Sequence, residues 1–373
     1  MKLSITSDNL KVATTRLSKV VNPKAITSIL QTTKVTFDNN KATFVGTDTE
    51  TTLTTSVDCM YDGEPFTVCL MLEDLSGLAG KAPSGVPIEM DIQPDAPFGV
   101  AIRVGRAAFN FKGENPKLFP EPINSADFIA YHADRNLMTE FAWAAQFCAS
   151  SKVEPFFNGV AMVIEKGKLR ICSTDKNALY ESAAYEVESS DMKHRLIIPK
   201  STASSLSMFK GGAPVVVRVH PSIDINASFE QDDVTIACRL IDYKFPPYEP
   251  ILNQQPKGSV TVEMSEFVNA VRLAGIALGS GTEKNTIEVS FQGTQVHMKC
   301  MNHEHGKEAT STCECINDGD GDISARFNQD YLLRCLNGLS GSCRITHQAS
   351  NRHQFVMQEA DGGPRYLIMP QNG

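Results

Sequence analysis

The residues best suited to metal chemistry lie in the last quarter of the chain. His303 and His305 flank Glu304, and a β-strand would place both imidazoles on one face. A zinc ion that activates water for hydrolysis needs at least three protein ligands, and the surrounding sequence offers no third. We therefore interpret this segment as part of an ordinary strand.

A second candidate is a short aspartate-rich segment that begins like a calcium-binding loop. Its aspartates alternate with glycines: Asp318, Asp320 and Asp322. Such a loop needs glycine where this chain has Ile323, and a closing glutamate where it has Gln329. We interpret the segment as a solvated turn. A metal-dependent hydrolase that uses these aspartates with His303 remains an alternative, and added metal should then shift its melting temperature.

The cysteines and the composition indicate a soluble protein of a reducing compartment. The ten cysteines are scattered and include no Cys-x-x-Cys pair, so we expect reduced thiols, with Cys313 and Cys315 inert on one strand face. The chain begins without the apolar run of a signal peptide, and no stretch approaches the roughly 18 apolar residues of a membrane span. We expect a cytoplasmic protein. No Gly-rich phosphate loop or nucleophile motif stands out, so we expect no catalytic residue, no metal and no cofactor.

The elements that must position any site recur three times along the chain. Each copy contains a strand that ends in a small polar cluster: Gly46-Thr47-Asp48, Ser173-Thr174-Asp175 and Cys300-Met301-Asn302. The last residues of these clusters follow one another at intervals of 127 residues. A repeat of this length is a whole domain. We therefore predict three domains, which span residues 1–124, 125–253 and 254–373.

Each copy is predicted to contain two helices and several strands. Asp8 and Ser265 are the predicted N-caps of two of the helices. Alternating strands that flank Asn or Gly predict one hairpin in each copy. The pairs Phe119-Pro120 and Phe245-Pro246 predict stiff joints between copies. The six predicted helices span residues 8–20, 72–81, 135–148, 200–210, 265–278 and 329–340. This pattern predicts an α+β fold, in which each pair of helices is backed by antiparallel sheet.

The charge is unevenly distributed. The net charge is −8, which argues against a protein that holds nucleic acid by bulk attraction. The predicted helices nevertheless carry nine basic and six acidic residues, and most of the acidic ones lie near helix N-termini. Lys24, Lys152 and Lys284 follow the first helix of each copy. Either a basic helical surface or chance on a solvated face explains this pattern.

Several short strings together resemble the bacterial sliding clamp family, the beta subunit of DNA polymerase III. They are Gly46-Thr47-Asp48, Phe157-Asn158-Gly159, Thr174-Asp175, Arg239-Leu240-Ile241-Asp242 with Phe245-Pro246-x-Tyr248, and Tyr366-Leu367-Ile368-Met369-Pro370. The resemblance covers the whole chain in order. It implies three domains of the DNA-clamp type in a crescent subunit, and two subunits that close head to tail into a ring around duplex DNA.

The resemblance implies a DNA polymerase processivity factor without catalytic activity. Helices would line the hole, where phosphate contacts that carry no sequence information permit sliding. The residues expected to contact DNA are Lys24, Lys81, Lys152, Lys200 and Lys284. The ring would tether the replicative polymerase and the clamp loader through short peptide motifs. A peptide-binding scaffold that never meets DNA is a further alternative, and it would tolerate neutralisation of the lysines.

The family's peptide pocket maps onto an apolar set between the second and third predicted domains. Its members are Phe157, Thr174, Leu179, Pro246, Ile251, Leu367, Ile368, Met369 and Pro370. Ordinary domain core is the alternative explanation. The family usually has Gly-His-Arg-Leu after Thr174-Asp175, whereas this chain has Lys176-Asn177-Ala178-Leu179. The usual tail of a basic and an apolar residue is also replaced, by Gln371-Asn372-Gly373.

Ring closure requires the first domain of one subunit to meet the third domain of the other. We expect Phe109, on a late strand of the first domain, and Ile276 and Leu278, at the end of a helix of the third, to form this interface. The alternative is that all three are core residues.

Overall fold

The computed structural model describes residues 1–93, 95, 98–123, 129–133, 135–187, 194–209, 213–219, 225–278, 285–303, 305–317 and 322–371. The chain forms two compact units. Unit 1 comprises Met1–Ala142, Val187–Ser189 and Leu196–Asp242, and unit 2 comprises Trp143–Glu186, Ser190–Arg195 and Tyr243–Gly373. The second repeat thus contributes to both units, and the division into three domains stays a prediction.

The described chain contains 25 strands and seven α-helices. The helices are α1 (Ser7–Leu17), α2 (Leu72–Lys81), α3 (Arg135–Ala144), α4 (Lys200–Ser205), α5 (Glu249–Leu252), α6 (Met264–Ala274) and α7 (Gln329–Leu336). The strands are β1 (Lys2–Thr6), β2 (Thr32–Asp38), β3 (Lys41–Thr47), β4 (Thr51–Asp58), β5 (Phe66–Met71), β6 (Pro87–Ile92), β7 (Gly99–Val104), β8 (Ala107–Lys112), β9 (Ile129–Ala133), β10 (Gly159–Glu165), β11 (Lys168–Thr174), β12 (Ala178–Glu181), β13 (Tyr185–Glu186), β14 (His194–Pro199), β15 (Val215–Val219), β16 (Asn226–Gln231), β17 (Val234–Arg239), β18 (Gly258–Glu263), β19 (Thr286–Gln292), β20 (Gln295–Asn302), β21 (Lys307–Asn317), β22 (Ile323–Asn328), β23 (Ser342–His347), β24 (Phe355–Glu359) and β25 (Arg365–Ile368).

Unit 1 contains two antiparallel sheets. One has the order β1-β6-β7-β8, and the other has the order β5-β2-β3-β4-β17-β16-β15-β9. Helix α1 packs against α2 and against β1, β3 and β4. Leu10, Ala13 and Leu17 of α1 are fully buried, so the apolar stripe of this helix faces the sheet as its spacing predicts.

Unit 2 contains one long antiparallel sheet. Its order runs β10-β11-β12-β25-β24-β23-β18-β21-β20-β19-β22, and β13 pairs with β11. Helix α6 packs against α7 and against β18, β20 and β21, and it buries Phe267 and Val271. Helix pairs on antiparallel sheet in both units confirm the prediction of an α+β fold.

The predicted hairpins are confirmed. Strands β2 and β3 meet at Asn39 and Asn40, whose φ angles are 45° and 61°. Strands β10 and β11 meet at Lys166 and Gly167, with φ angles of 52° and 71°. Two successive residues with positive φ form the turn that matches the twist of the flanking strands. The third hairpin joins β19 and β20 at Gly293, with φ 54°.

Two predicted N-caps are wrong. The side chain of Thr6 caps α1, and it accepts a hydrogen bond from the backbone N–H of Asn9 at 3.2 Å. Asp8 lies inside the first turn, where its charge favours the helix dipole instead. Ser265 is likewise inside α6, which follows Glu263 without a side-chain cap. In both cases the helix begins directly where a strand ends, one or two residues before the predicted start.

Helix α2 has the predicted bounds, and the other five predicted helices are shorter than predicted. Helix α1 ends at Leu17 and α7 at Leu336, and α3, α4 and α6 each continue as one 3-10 turn. Apolar residues beyond these ends, such as Val20, are buried without being helical. They continue the apolar spacing in the sequence, so the predicted helices were too long. Helix α5 was not predicted, although Pro250 in its first turn is compatible with a helix start.

Candidate functional site

Three residues of the predicted pocket form one row across unit 2. Thr174 of β11 pairs with Leu179 of β12, and Leu179 pairs with Leu367 of β25. Directly paired residues of an antiparallel sheet project to the same face, so the three side chains lie side by side. We call Thr174, Leu179 and Leu367 the apolar row. They are 9%, 5% and 5% exposed, respectively.

A tight turn between β11 and β12 positions one end of this row. The hydroxyl of Thr174 donates to the carbonyl of Ala178 at 2.8 Å and accepts from the N–H of Lys176 at 3.0 Å. The Oδ1 atom of Asp175 accepts from the N–H groups of Asn177 at 3.0 Å and Ala178 at 2.9 Å. Threonine and aspartate side chains thus satisfy the turn's backbone groups, as their types predict. Lys176 adopts a φ of 76°, in the region that favours glycine.

The opposite face of the same strands is rigid core. Tyr180 and Tyr366 lie 5.2 Å apart, between ring centroids, and both contact Phe147. Trp143 Nε1 donates to the Tyr366 hydroxyl at 3.0 Å, and that hydroxyl donates to the carbonyl of Gly338 at 3.2 Å. A Cβ atom at Gly338 would lie 2.0 Å from the Tyr366 hydroxyl oxygen, so the close approach requires glycine. This packing holds the strands that carry the apolar row.

Arg334 of α7 ties the turn to a helix. Its guanidinium donates to Asp175 Oδ2 at 2.8 Å and to the carbonyl of Gln146 at 2.8 Å. The group lies 4.7 Å from the ring centre of Phe147 and 4.8 Å from that of Tyr331. Its Nε atom is buried and has no hydrogen-bond partner among the described residues. The charge is therefore held by Asp175 and by two aromatic faces.

A buried ion pair lies beside the row on the same face, two residues further along β12 and β25. Glu181 is 4% exposed, and it accepts from Arg365 Nε at 2.7 Å and Nη2 at 2.5 Å. The Tyr248 hydroxyl also hydrogen-bonds to Glu181. Burial raises the pKa of Tyr248 well above its ordinary value, and nearby ionisable groups and the bond to Glu181 raise it further. Tyr248 therefore remains a neutral hydrogen-bond donor, which fixes the segment around α5 to this face of the sheet.

Aromatic side chains form a chain of contacts from Tyr248 to Phe157. The Phe245 ring lies 6.1 Å from that of Tyr248 and 6.2 Å from that of Phe157, edge-on in both cases. Lys176 Nζ lies 5.6 Å from the centre of the Phe157 ring and forms an ion pair with Glu154. Phe245 thus links Tyr248, which lies beside Glu181, to Phe157, which lies beside Lys176.

The remaining pocket candidates differ in exposure. Ile251 is 49% exposed, Pro246 and Met369 are half-buried, and Pro370 is buried. The N–H of Met369 donates to the carbonyl of Asn177 at 2.8 Å, which ties the segment after β25 to the turn. Ile368 alternates with Leu367 and therefore lies on the opposite face, with Tyr366. Ile251, Pro246 and Met369 are thus the pocket candidates that expose the most surface to a ligand.

The lysines expected to contact DNA are mostly accessible. Lys24, Lys81 and Lys152 are exposed, Lys200 at the start of α4 is half-buried, and Lys284 lies outside the described residues. Two further exposed lysines were counted only in the total charge of the predicted helices: Lys11 of α1, and Lys19 just beyond its end. In unit 1 the Ser205 hydroxyl of α4 donates to the carbonyl of Lys19 at 3.4 Å, so α4 packs at the end of α1.

The interface candidates are placed unequally. Phe109 lies on the edge strand β8 and lines a cavity of about 500 Å³ between α2 and β8. Lys81 lines the same cavity. Ile276 is 71% exposed, whereas Leu278 is 3% exposed and packs inside unit 2. Leu273 is 50% exposed one turn before Ile276. It was missed, although an apolar residue off the buried stripe of α6 is a readable signal.

The metal candidates do not come together in the described part of the chain. There, no group of three or more His, Cys, Asp or Glu side chains could hold a metal ion. His303, His305 and Asp322 are exposed, and Asp318 and Asp320 lie outside the described residues.

The cysteines are not activated for chemistry. All ten are free, and burial raises the pKa of several thiols, that of Cys335 to about 12. These thiols stay protonated at neutral pH. Separately, none of the helices in the described ranges has the length and apolarity needed to cross a membrane.

Comparison with known proteins finds one family model that matches part of the chain, and relatives similar over nearly all of it. Residues 134–247 match the model of the DNA polymerase III beta subunit, central domain. The beta sliding clamp of Bacillus subtilis (strain 168) is 21% identical, with 99% of each chain covered. The DnaN sliding clamp of Pseudomonas aeruginosa bound to griselimycin has a TM-score of 0.90 at 19% identity, with both chains fully covered. The Helicobacter pylori beta clamp bound to DNA ligase peptide has a TM-score of 0.85 at 18% identity, also over both full chains. The chain is thus similar to the central domain of the DNA polymerase III beta subunit over residues 134–247, and to bacterial beta sliding clamps over nearly its full length.

Proposed function

We propose that this chain is a DNA polymerase processivity factor, a sliding clamp that encircles duplex DNA and tethers the replicative polymerase. The observation that carries the proposal is the agreement of its fold with a sliding clamp over all of both chains, at a TM-score of 0.90. A fold alone is weak support for an enzyme, whose activity depends on a few side chains. A clamp acts through its overall form, so the fold bears on its function directly.

The ring would form from two copies of the chain that meet head to tail, each with the three domains predicted above. Strand β8 supports one side of this interface, because an edge strand presents unpaired backbone groups and here also carries Phe109. Exposed Leu273 and Ile276 support the other side. Two different surfaces that meet through a rotation close into a ring.

The inner surface would contact DNA through Lys24, Lys81, Lys152, Lys200 and Lys284. A few exposed lysines on a chain of net charge −8 suit weak phosphate contacts that depend on salt. Tight binding would oppose sliding. The apolar row with Ile251, Pro246 and Met369 would receive an extended peptide of the polymerase or the clamp loader. That two related clamps are bound to griselimycin and to a DNA ligase peptide supports this assignment.

The proposed role is that of a non-catalytic accessory subunit of the replicative polymerase, acting in the cytoplasm. Matched relatives are named as beta sliding clamps and as the beta subunit of DNA polymerase III, which supports an accessory role. Encirclement of the DNA would keep the protein on it for a long time, although its affinity for DNA would be weak.

Retention on circular DNA tests the proposal. The protein is loaded by a clamp loader onto a nicked plasmid, the complex is isolated, and half of it is linearised. A clamp is lost from the linear half alone. Retention on both halves would indicate direct affinity and would contradict the sliding ring.

Charge-neutralising variants sharpen the same assay. Replacing Lys24 and Lys152 by alanine should weaken loading, whereas replacing the exposed strand lysines Lys41 and Lys307 should not. Equal behaviour of the two double variants would favour a scaffold that does not meet DNA. A shift of the melting temperature on addition of metal would instead favour the hydrolase alternative.

A further inference from the structure

The side chain of Lys176 lies across part of the proposed peptide site. Its ammonium lies 5.6 Å from the centre of the Phe157 ring and pairs with Glu154 at the same place. The Lys176 side chain is 56% exposed and that of Glu154 is 33% exposed, so the pair sits at the surface. Phe157 beneath it is only 9% exposed.

The backbone directs this side chain. Lys176 has a φ of 76°, and the turn around it is held by the side chains of Thr174 and Asp175. A lysine is strained in this conformation, and glycine would adopt it at lower cost. The turn thus presents a long cationic side chain to the Phe157 ring.

We propose that Lys176 is a specificity-determining residue, a movable cover over Phe157 that uncharged ligands must displace. The proposal rests on the peptide site assigned above. A ligand that packs an apolar group on the Phe157 ring removes the ammonium from the ring and from Glu154. A ligand with a carboxylate at this point instead replaces Glu154 as the partner of the ammonium. Lys176 therefore penalises the first class of ligand and admits the second.

The penalty is small because both contacts are exposed. A cation over an exposed aromatic ring and a surface ion pair are each weak, so the cover opens readily. Removing the lysine should tighten the binding of an uncharged ligand by about threefold to tenfold. Salt screens the pair with Glu154, so high salt should tighten binding to the wild-type protein as well.

Griselimycin is the probe, and isothermal titration of the full chain is the measurement. Lys176→Ala and Lys176→Met should both bind about threefold to tenfold more tightly than the wild type. Glu154→Gln should shift affinity in the same direction by a smaller factor. The matched control is Lys168→Ala, which removes another exposed ion pair of unit 2, with Glu186. Lys168 lies about 20 Å from Thr174 along β11, and its replacement should leave affinity unchanged.

The outcomes separate the inference from the proposed function. Equal or weaker binding by both Lys176 variants, with unchanged melting temperatures, overturns the role of Lys176. Tighter binding by Lys168→Ala as well would indicate a general charge effect and would also overturn it. Failure of griselimycin to bind every variant overturns the peptide site with the inference. Retention on circular DNA does not depend on this site and would still test the clamp.

Discussion

The turn that follows β3 and the turn that follows β11 share one set of hydrogen bonds, and they differ in what surrounds them. Thr47 donates to the carbonyl of Thr51 at 2.8 Å, and Asp48 Oδ1 accepts from the N–H groups of Glu50 and Thr51. Thr49 has a φ of 80°, close to the 76° of Lys176. The turn of unit 1 thus repeats these bonds between side chain and backbone that hold the turn of unit 2.

The two turns differ in the charged and aromatic side chains that contact them. Asp175 is paired with Arg334, and Lys176 covers Phe157, whereas Asp48 has no ion pair among the described residues. The third copy departs further, since Asn302 accepts from the N–H of His305 and donates to the carbonyl of Leu278. The repeated sequence therefore specifies the turn itself. Contacts with residues distant in sequence make the turn after β11, and not the turn after β3, part of the candidate site.

The largest difference between the two turns should appear when the charge of the aspartate is removed in each. Asp175→Asn retains an oxygen for the turn but leaves Arg334 without its carboxylate. Breaking a buried pair costs about 3–5 kcal/mol, and partial exposure of both partners reduces this to about 2 kcal/mol. Asp48→Asn should cost less than about 0.5 kcal/mol, because its backbone acceptor is retained. Urea denaturation followed by circular dichroism measures both.

Two observations would check the cause of that difference. Trp143 is the one tryptophan of the chain and lies in unit 2, so its fluorescence should report the loss in Asp175→Asn. Adding Arg334→Met should restore much of the stability, because the unpaired charge is then gone. Equal losses for the two asparagine variants would mean that Arg334 contributes nothing beyond the shared turn.

Replacing either threonine should lower the stability by a smaller amount, and by the same amount in the two turns. Thr47→Val and Thr174→Val each remove a hydroxyl that donates to one backbone carbonyl and accepts from one backbone N–H. Each should lower the free energy of unfolding by about 1–2 kcal/mol, since buried backbone groups lose their partners. The serine variants, which retain the hydroxyl, serve as controls. A difference above about 1 kcal/mol between the valine variants would show that the turns are not equivalent.

The sequence predicted the parts of this site that depend on local pattern. The spacing of Thr47-Asp48 and Thr174-Asp175 indicated the repeat, and alternation predicted the hairpin between β10 and β11. Alternation could also have assigned Ile368 to the face opposite Leu367. Similarly, the buried stripe of α6 could have placed Leu278 in the core.

The contacts that distinguish the two turns were not predictable in this way. Arg334 lies 159 residues from Asp175, and no local pattern pairs them. The cation–π contact of Lys176 with Phe157 likewise depends on how β11 and β12 place their turn beside a separate segment. Helix ends were misjudged for a related reason, because tertiary packing buries apolar residues beyond the last turn. Local sequence patterns predict the strands and turns that carry the site. Tertiary packing determines which charged side chains contact them.

The smallest effect concerns the residue with positive φ in each turn. Thr49→Gly relieves a strained β-branched residue, a gain of about 1–3 kcal/mol, against about 0.5–1 kcal/mol for the added freedom of the unfolded chain. The net result should be a small rise in melting temperature. Lys176→Gly relieves similar strain but also loses the contacts with Phe157 and Glu154, so its rise should be smaller or absent. Thermal unfolding of the two variants in parallel measures the difference. A larger rise for Lys176→Gly than for Thr49→Gly would mean that these contacts do not stabilise the protein.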